Sequence, residues 1–129
     1  MYMSIVKAFN GQWIEFLEDL IKIFPNDYDL KTGLTWGKTV IRFTPLFYIK
    51  LWNEYIMPKY KVQIYNEDIK FFINNDYSDD ISDIDNKERG VKLIEKFRLL
   101  LRDASDINKQ KSIKYVKNMS KLCELYYSK

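Results

Sequence analysis

From Ser4 to Phe24 the apolar residues Ile5, Phe9, Trp13, Phe16, Leu17, Leu20 and Phe24 recur at steps of three and four, the period of one helix face. Glu15, Glu18, Asp19 and Lys22 fall on the other side, and Pro25-Asn26-Asp27 stops the pattern. Over 31–43, stepping about 100° per residue from Leu34 puts Gly33, Trp36, Gly37, Val40, Ile41 and Phe43 in one half-turn. Lys31, Thr32, Thr35, Lys38, Thr39 and Arg42 fill the opposite half. Gly33, Gly37 and Trp36 are therefore expected at a helix-packing surface. Two glycines four apart let another helix approach closely, although each costs up to about 1 kcal/mol of helix propensity relative to alanine.

Thr44-Pro45 supplies an N-cap and a first-turn proline for the next helix. That helix, about 45–57, is apolar almost all round, with Lys50, Asn53 and Glu54 as its narrow wet strip, and is expected at the centre of the fold. Pro58 should interrupt it. Tyr60, Val62 and Ile64 then alternate with Lys61 and Gln63, so a small hairpin with Thr39 to Phe43 is a minority alternative. A short helix is expected from Asn66, with Glu67 and Asp68 in its first turn. The stretch 76–90 is acidic and aperiodic and reads as a loop. Val91, Ile94, Phe97, Leu100, Leu101 and Ala104 mark a helix over 91–104. Ser105 or Asp106 caps a last helix to about 127, with Ile113, Val116, Met119, Leu122, Cys123 and Tyr126 inside. The sum is an all-α fold: one helical domain over 1–129, a compact bundle of five or six helices around the 45–57 segment.

Composition narrows the chemistry. A chain of 129 residues, 47% hydrophobic and 16% aromatic, has enough apolar surface for a core without metals or disulfides. Histidine is absent, which removes the commonest general base, the commonest zinc ligand and every Ser-His or Cys-His dyad. No cofactor and no catalytic residue is expected. The single Cys123 forms no internal disulfide, the start carries no secretory leader, and no apolar run approaches the roughly 20 residues that cross a bilayer. An intracellular protein without a membrane span is the expectation. The net charge of +3 hides alternating blocks: residues 31–65 carry six cations against one acid, and 66–90 carry three against eight. Such blocks can pair within one domain.

Three motifs invite stronger readings. Gly37-Lys38-Thr39 has the ending of a phosphate-binding loop, but three residues rather than four separate Gly33 from Gly37, no buried strand precedes them, and Lys38 points away from the glycines. An EF-hand counted from Asp76 would need glycine and glutamate where Ile81 and Lys87 stand. Ser78 and Ser82 in the same loop are candidate phosphorylation sites, and Asn118-Met119-Ser120 matches a glycosylation acceptor by chance. In the last helix Lys111, Lys114, Lys117 and Lys121 gather opposite the apolar face, with Lys109 nearby. A cationic stripe of this kind can track a phosphate backbone; its bland alternative is a solvated helix face.

The stretches AFNGQWIEFLEDLIKIFPNDYDL, 8–30, and IKFFINNDYSDD, 69–80, resemble a small helical protein of nucleocytoplasmic large DNA viruses. The shared features are a Phe-Asn start, an Asp-rich turn after Phe-Pro, and a Phe-Phe-Ile run followed by Asp-Tyr-Ser. The resemblance covers about the first 80 residues, implies a setting in the host cytoplasm or the virion, and carries over no catalytic residue. The leading functional expectation is a non-enzymatic binding or assembly protein acting through a protein partner or self-association. The alternative is a nucleic-acid-binding protein using Lys109, Lys111, Lys114, Lys117 and Lys121.

Overall fold

The structure, a computed structural model, describes residues 2–74 and 99–128. Helix is the only regular structure among them. Helix α1 (Tyr2–Ile23) is followed by α2 (Tyr28–Phe43) and α3 (Phe47–Leu51). A π-helical turn, Trp52–Ile56, joins α3 to α4 (Met57–Tyr65), and α5 (Ile69–Asn74) comes next. Residues 99–103 are helical, and α6 (Asp106–Tyr127) closes the described chain. The acidic loop 76–90, with its calcium reading and Ser78 and Ser82, lies outside the described residues, as does most of the helix expected over 91–104.

The hub is α1 rather than the 45–57 segment. Phe9, Phe16, Leu17, Leu20 and Val6 are all buried along it, and it packs against α6, α2 and α3. In the 45–57 segment only Tyr48 and Ile49 are buried. An apolar composition all round does not place a helix at the centre when some of its large residues, Phe47 among them, stay exposed.

Among the described residues, three buried clusters run through the fold. Phe9, Tyr48, Ile49, Met119 and Cys123 form the first; Phe16, Leu17, Leu20 and Leu30 the second; Tyr60 and Ile64 the third. Trp13 packs against the first two, and Val116 against the last two, so the apolar contacts are continuous. Cys123 donates its thiol to the Ile49 carbonyl at 3.6 Å, and burial pushes its pKa up to about 12, leaving an unreactive packing group.

Caps account for most boundaries. The Asp27 side chain accepts from the Leu30 amide at 3.1 Å at the start of α2, and Ser105 does the same for Asn108 at 3.2 Å at the start of α6. Thr44 departs from expectation: it closes α2, its amide bonded to the Val40 carbonyl at 2.7 Å, and no side-chain cap begins α3. The short fifth helix starts at Ile69, not Asn66. Asp68 accepts from the Phe71 amide at 3.2 Å, while Asn66 and Glu67 belong to the end of α4.

Pro58 does not end the helix. It sits in the first turn of α4, directly after the π turn, in which the Met57 amide reaches five residues back to the Trp52 carbonyl. Proline lacks the N–H for the four-residue bond, and its ring crowds the carbonyl four residues earlier. The wider turn relieves both conflicts at once. The chain stays helical to Tyr65, and the alternation at 60–64 buries Tyr60 and Ile64 at helical spacing instead of forming a strand.

The two glycines of α2 differ in role. A Cβ built on Gly37 would lie 3.5 Å from the Tyr48 hydroxyl, 3.6 Å from Trp13 Nε1 and 3.7 Å from Ile14 Cδ1, whereas one on Gly33 would meet nothing within 4 Å. Gly37 is thus the close-approach residue, and the expectation of a packed Gly33 is corrected. Gly33→Ala is expected to raise stability by up to about 1 kcal/mol through helix propensity alone. Gly37→Leu should lower it by roughly 1–3 kcal/mol by overpacking. Chemical denaturation midpoints of the two variants check both signs.

Candidate interaction surface

At Gly37 the chain backbone of α2 lies against a buried pair of polar side chains. Trp13 and Tyr48 stand with ring centroids 5.3 Å apart. Burial raises the Tyr48 pKa to about 12, and the neighbouring Trp13 indole pulls it the other way. Asn10 fixes the neighbouring corner by donating its amide to the Pro45 carbonyl at 2.9 Å. These contacts set where α2 meets α3.

The same setting turns large aromatic residues outward. Trp36 is 41% exposed, Phe43 74% and Phe47 37%. The sequence pattern puts Trp36 in the packed half of α2; instead it stands at the rim, because the buried side centres on Leu30 and Gly37. Trp36, Phe47 and Tyr48 meet edge to face, with centroids 6.1 Å apart for Trp36–Phe47, 6.3 Å for Trp36–Tyr48 and 5.1 Å for Phe47–Tyr48. Phe43 lies on the same flank of α2, seven residues on from Trp36, and the Arg42 guanidinium sits 5.6 Å from its ring centroid. A rigid aromatic cluster held by a buried base is the composition of protein-contact hot spots.

The Gly37-Lys38-Thr39 triplet lies within α2. Its amides are engaged in helix and do not form a phosphate cradle.

The lysine stripe of α6 is divided by the fold. Lys111, Lys114 and Lys121 are exposed. Lys117 is instead drawn to Glu67, Nζ to Oε2 3.2 Å, and Lys109 lies about 160° of helix rotation from Lys111, toward the packed side. The Glu67 contact is architectural. The Glu67 amide bonds to the Ile64 carbonyl and the Asp68 amide to the Gln63 carbonyl, which is the Schellman ending of a helix. Glu67 takes the left-handed position, φ 53°, where glycine is usual. Lys117 therefore ties the end of α4 to α6, a link between residues 50 apart that sequence spacing could not reveal. Farther along, Glu124 pairs with Lys61 on α4, a second tie between the two helices.

The seam between α1 and α6 holds a further polar cluster. The Tyr115 hydroxyl donates to Asp19 and lies 3.2 Å from Glu15 Oε1, while its ring stacks on Phe16 at 5.3 Å. Burial first, and the bond to Asp19 second, push its pKa well above the ordinary tyrosine value. The neighbouring Asp19 also meets Lys22 at 3.9 Å. The result is an interhelical tie.

No family model, no curated protein and no solved structure matches the chain. Among the described residues, no helix is long and apolar enough to cross a membrane.

The division of the stripe has a measurable consequence. Lys117→Gln is expected to lower stability by up to about 1 kcal/mol, the range for a partly exposed ion pair, whereas Lys114→Gln should leave it within about 0.5 kcal/mol of the parent. Paired thermal unfolding curves distinguish a tie from a solvated charge.

Proposed function

We propose that this chain is a non-enzymatic binding or assembly protein that works through protein contacts at the α2–α3 corner. The observation that carries the reading is the exposure of Trp36, Phe43 and Phe47 beside the rigid Gly37 contact. Large aromatics cost solubility when left open, and a cluster rimmed by polar residues is a mark of interaction surfaces. The absence of histidine from the sequence supports a role without acid-base catalysis. The resemblance of 8–30 and 69–80 to a small helical protein of nucleocytoplasmic large DNA viruses supports a place in the infected cell or the virion.

A photo-crosslinking residue at position 43, in the chain's natural setting, tests this. The expected result is one recurrent partner, or a second copy, that also binds the purified chain directly and loses roughly thirtyfold in affinity with Trp36→Ser, the scale of a hot-spot residue. A chain that sediments as a monomer and yields no recurrent crosslink at this corner would overturn the reading.

The second reading is nucleic-acid binding through α6. It is supported by the exposure of Lys111, Lys114 and Lys121, none of which meets a carboxylate among the described residues. Loss of Lys117 to Glu67 and the inward place of Lys109 weaken it. Duplex DNA titrated at two salt concentrations should show an affinity that falls with salt. Replacing the three exposed lysines by glutamine should flatten the log–log slope by roughly 3. Unchanged affinity in that variant dismisses the role.

A further inference from the structure

Resting on the reading of the α2–α3 corner as a protein-contact surface, we infer that its occupant is an acidic amphipathic helix laid along α2. The solvent face of α2 carries two parallel ridges. One is cationic, made of Lys31, Lys38 and Arg42; the other is aromatic, made of Trp36 and Phe43. All three cations are exposed, and none of them meets a carboxylate among the described residues. The sole acid in the helix, Asp29, lies in its first turn.

Between the ridges, past Tyr28 and Thr32, stepping 100° per residue places Thr35 and Thr39. Their hydroxyls donate to the Lys31 and Thr35 carbonyls, each at 3.2 Å, so they are turned back onto their own helix. From Thr32 to Thr39 the outward surface between the ridges is short and methyl-bearing, a shallow floor flanked by longer side chains on both sides and closed at its N-terminal end by the exposed Tyr28.

Spacing selects the shape of the occupant. Lys31 to Lys38 and Trp36 to Phe43 are both seven-residue steps, about 10.5 Å along the axis at 1.5 Å per residue. A second helix packed nearly alongside repeats its contacts every seven residues. It can therefore set apolar residues on the aromatic ridge and carboxylates on the cationic one in a single register. Charge selects its sign, since residues 31–65 carry six cations against one acid, and complementary charge governs encounter and register.

A single-stranded nucleic acid would share the attraction to the cations, but it needs open ring faces for stacking. Arg42 stands over Phe43, and Phe47 and Tyr48 meet Trp36 edge to face. The structure favours side-chain anchors over bases.

The test uses the full chain and four labelled probes, read by fluorescence anisotropy. The first is a helical peptide of about 21 residues with leucines at three-and-four spacing and glutamates on the flank. The others are the same peptide with lysines for the glutamates, a scrambled version of the first, and a single-stranded DNA of about 15 nucleotides. The glutamate peptide is expected to bind best, less tightly as salt rises. Phe43→Ser should weaken it roughly thirtyfold, and Lys38→Glu by about tenfold while admitting the lysine peptide. Both positions are exposed, so circular dichroism should show the helices intact, and Lys114→Gln on α6 should change nothing.

A glutamate peptide that binds no better than the scrambled one, a DNA strand that binds tighter than any peptide, or variants without effect would each overturn the inference. Its failure is separable from that of the broader reading. A recurrent crosslinked partner at position 43 that lacks an acidic helix sinks the inference and leaves protein contact standing.

Discussion

The rest of the architecture depends on the missing side chain at Gly37. Trp13 from α1 and Tyr48 from α3 occupy the space beside it, with the Tyr48 hydroxyl 3.5 Å from where a Cβ would stand. Three elements converge on that point: α1 supplies the indole, α3 the phenol and α2 the bare backbone. Because successive helical residues turn by about 100°, fixing Gly37 inward leaves Trp36 at the rim, and residue 43, seven positions on from Trp36, on the same flank. The exposed corner and the buried contact are thus two sides of one constraint.

Charge plays two different roles in this chain. On α6, cations that look like a binding stripe are partly used to hold helices together: Lys117 meets the carboxylate of Glu67, whose backbone is in the left-handed region, while Glu124 on the same helix meets Lys61. A glutamate at a helix-ending position usually filled by glycine costs about 1–2 kcal/mol of backbone strain, and its ion pair offsets part of that. On α2, by contrast, Lys31, Lys38 and Arg42 stand without carboxylates among the described residues. The same residue types are structural on one helix and available on the other.

Much of the helical plan was legible in the chain. The three-and-four spacing of Ile5 to Phe24, the stop at Pro25, and the Ser105 cap need only local chemistry, and each lies where the pattern places it. Pattern and structure part where a tertiary contact decides. Pro58 reads as a break until the π turn before it is known. Trp36 and Gly33 read as packed because a half-turn drawn around Leu34 is wider than the strip α2 buries, which is centred on Leu30 and Gly37. The 45–57 segment reads as central because hydrophobicity reports what a residue tolerates, not which neighbour covers it. Of the candidate sites, the lysines were legible as a stripe, but the acid that claims Lys117 lies 50 residues away and on no shared periodic pattern. The aromatic corner left only a weak trace: an aromatic fraction high for a small core.

The π turn at Trp52–Ile56 also bears on how this chain can vary in length. It takes up one residue more than a regular helical turn would, so the helix beyond it keeps the rotation of an ordinary helix one residue shorter. The turn also carries Trp52, whose indole N–H donates to Ser120 on α6 at 2.9 Å. Shortening the segment by one residue would restore ordinary winding, and with it the crowding of the Pro58 ring against the carbonyl four residues earlier. Length variation among any descendants of this sequence should therefore spare 52–64 and collect elsewhere.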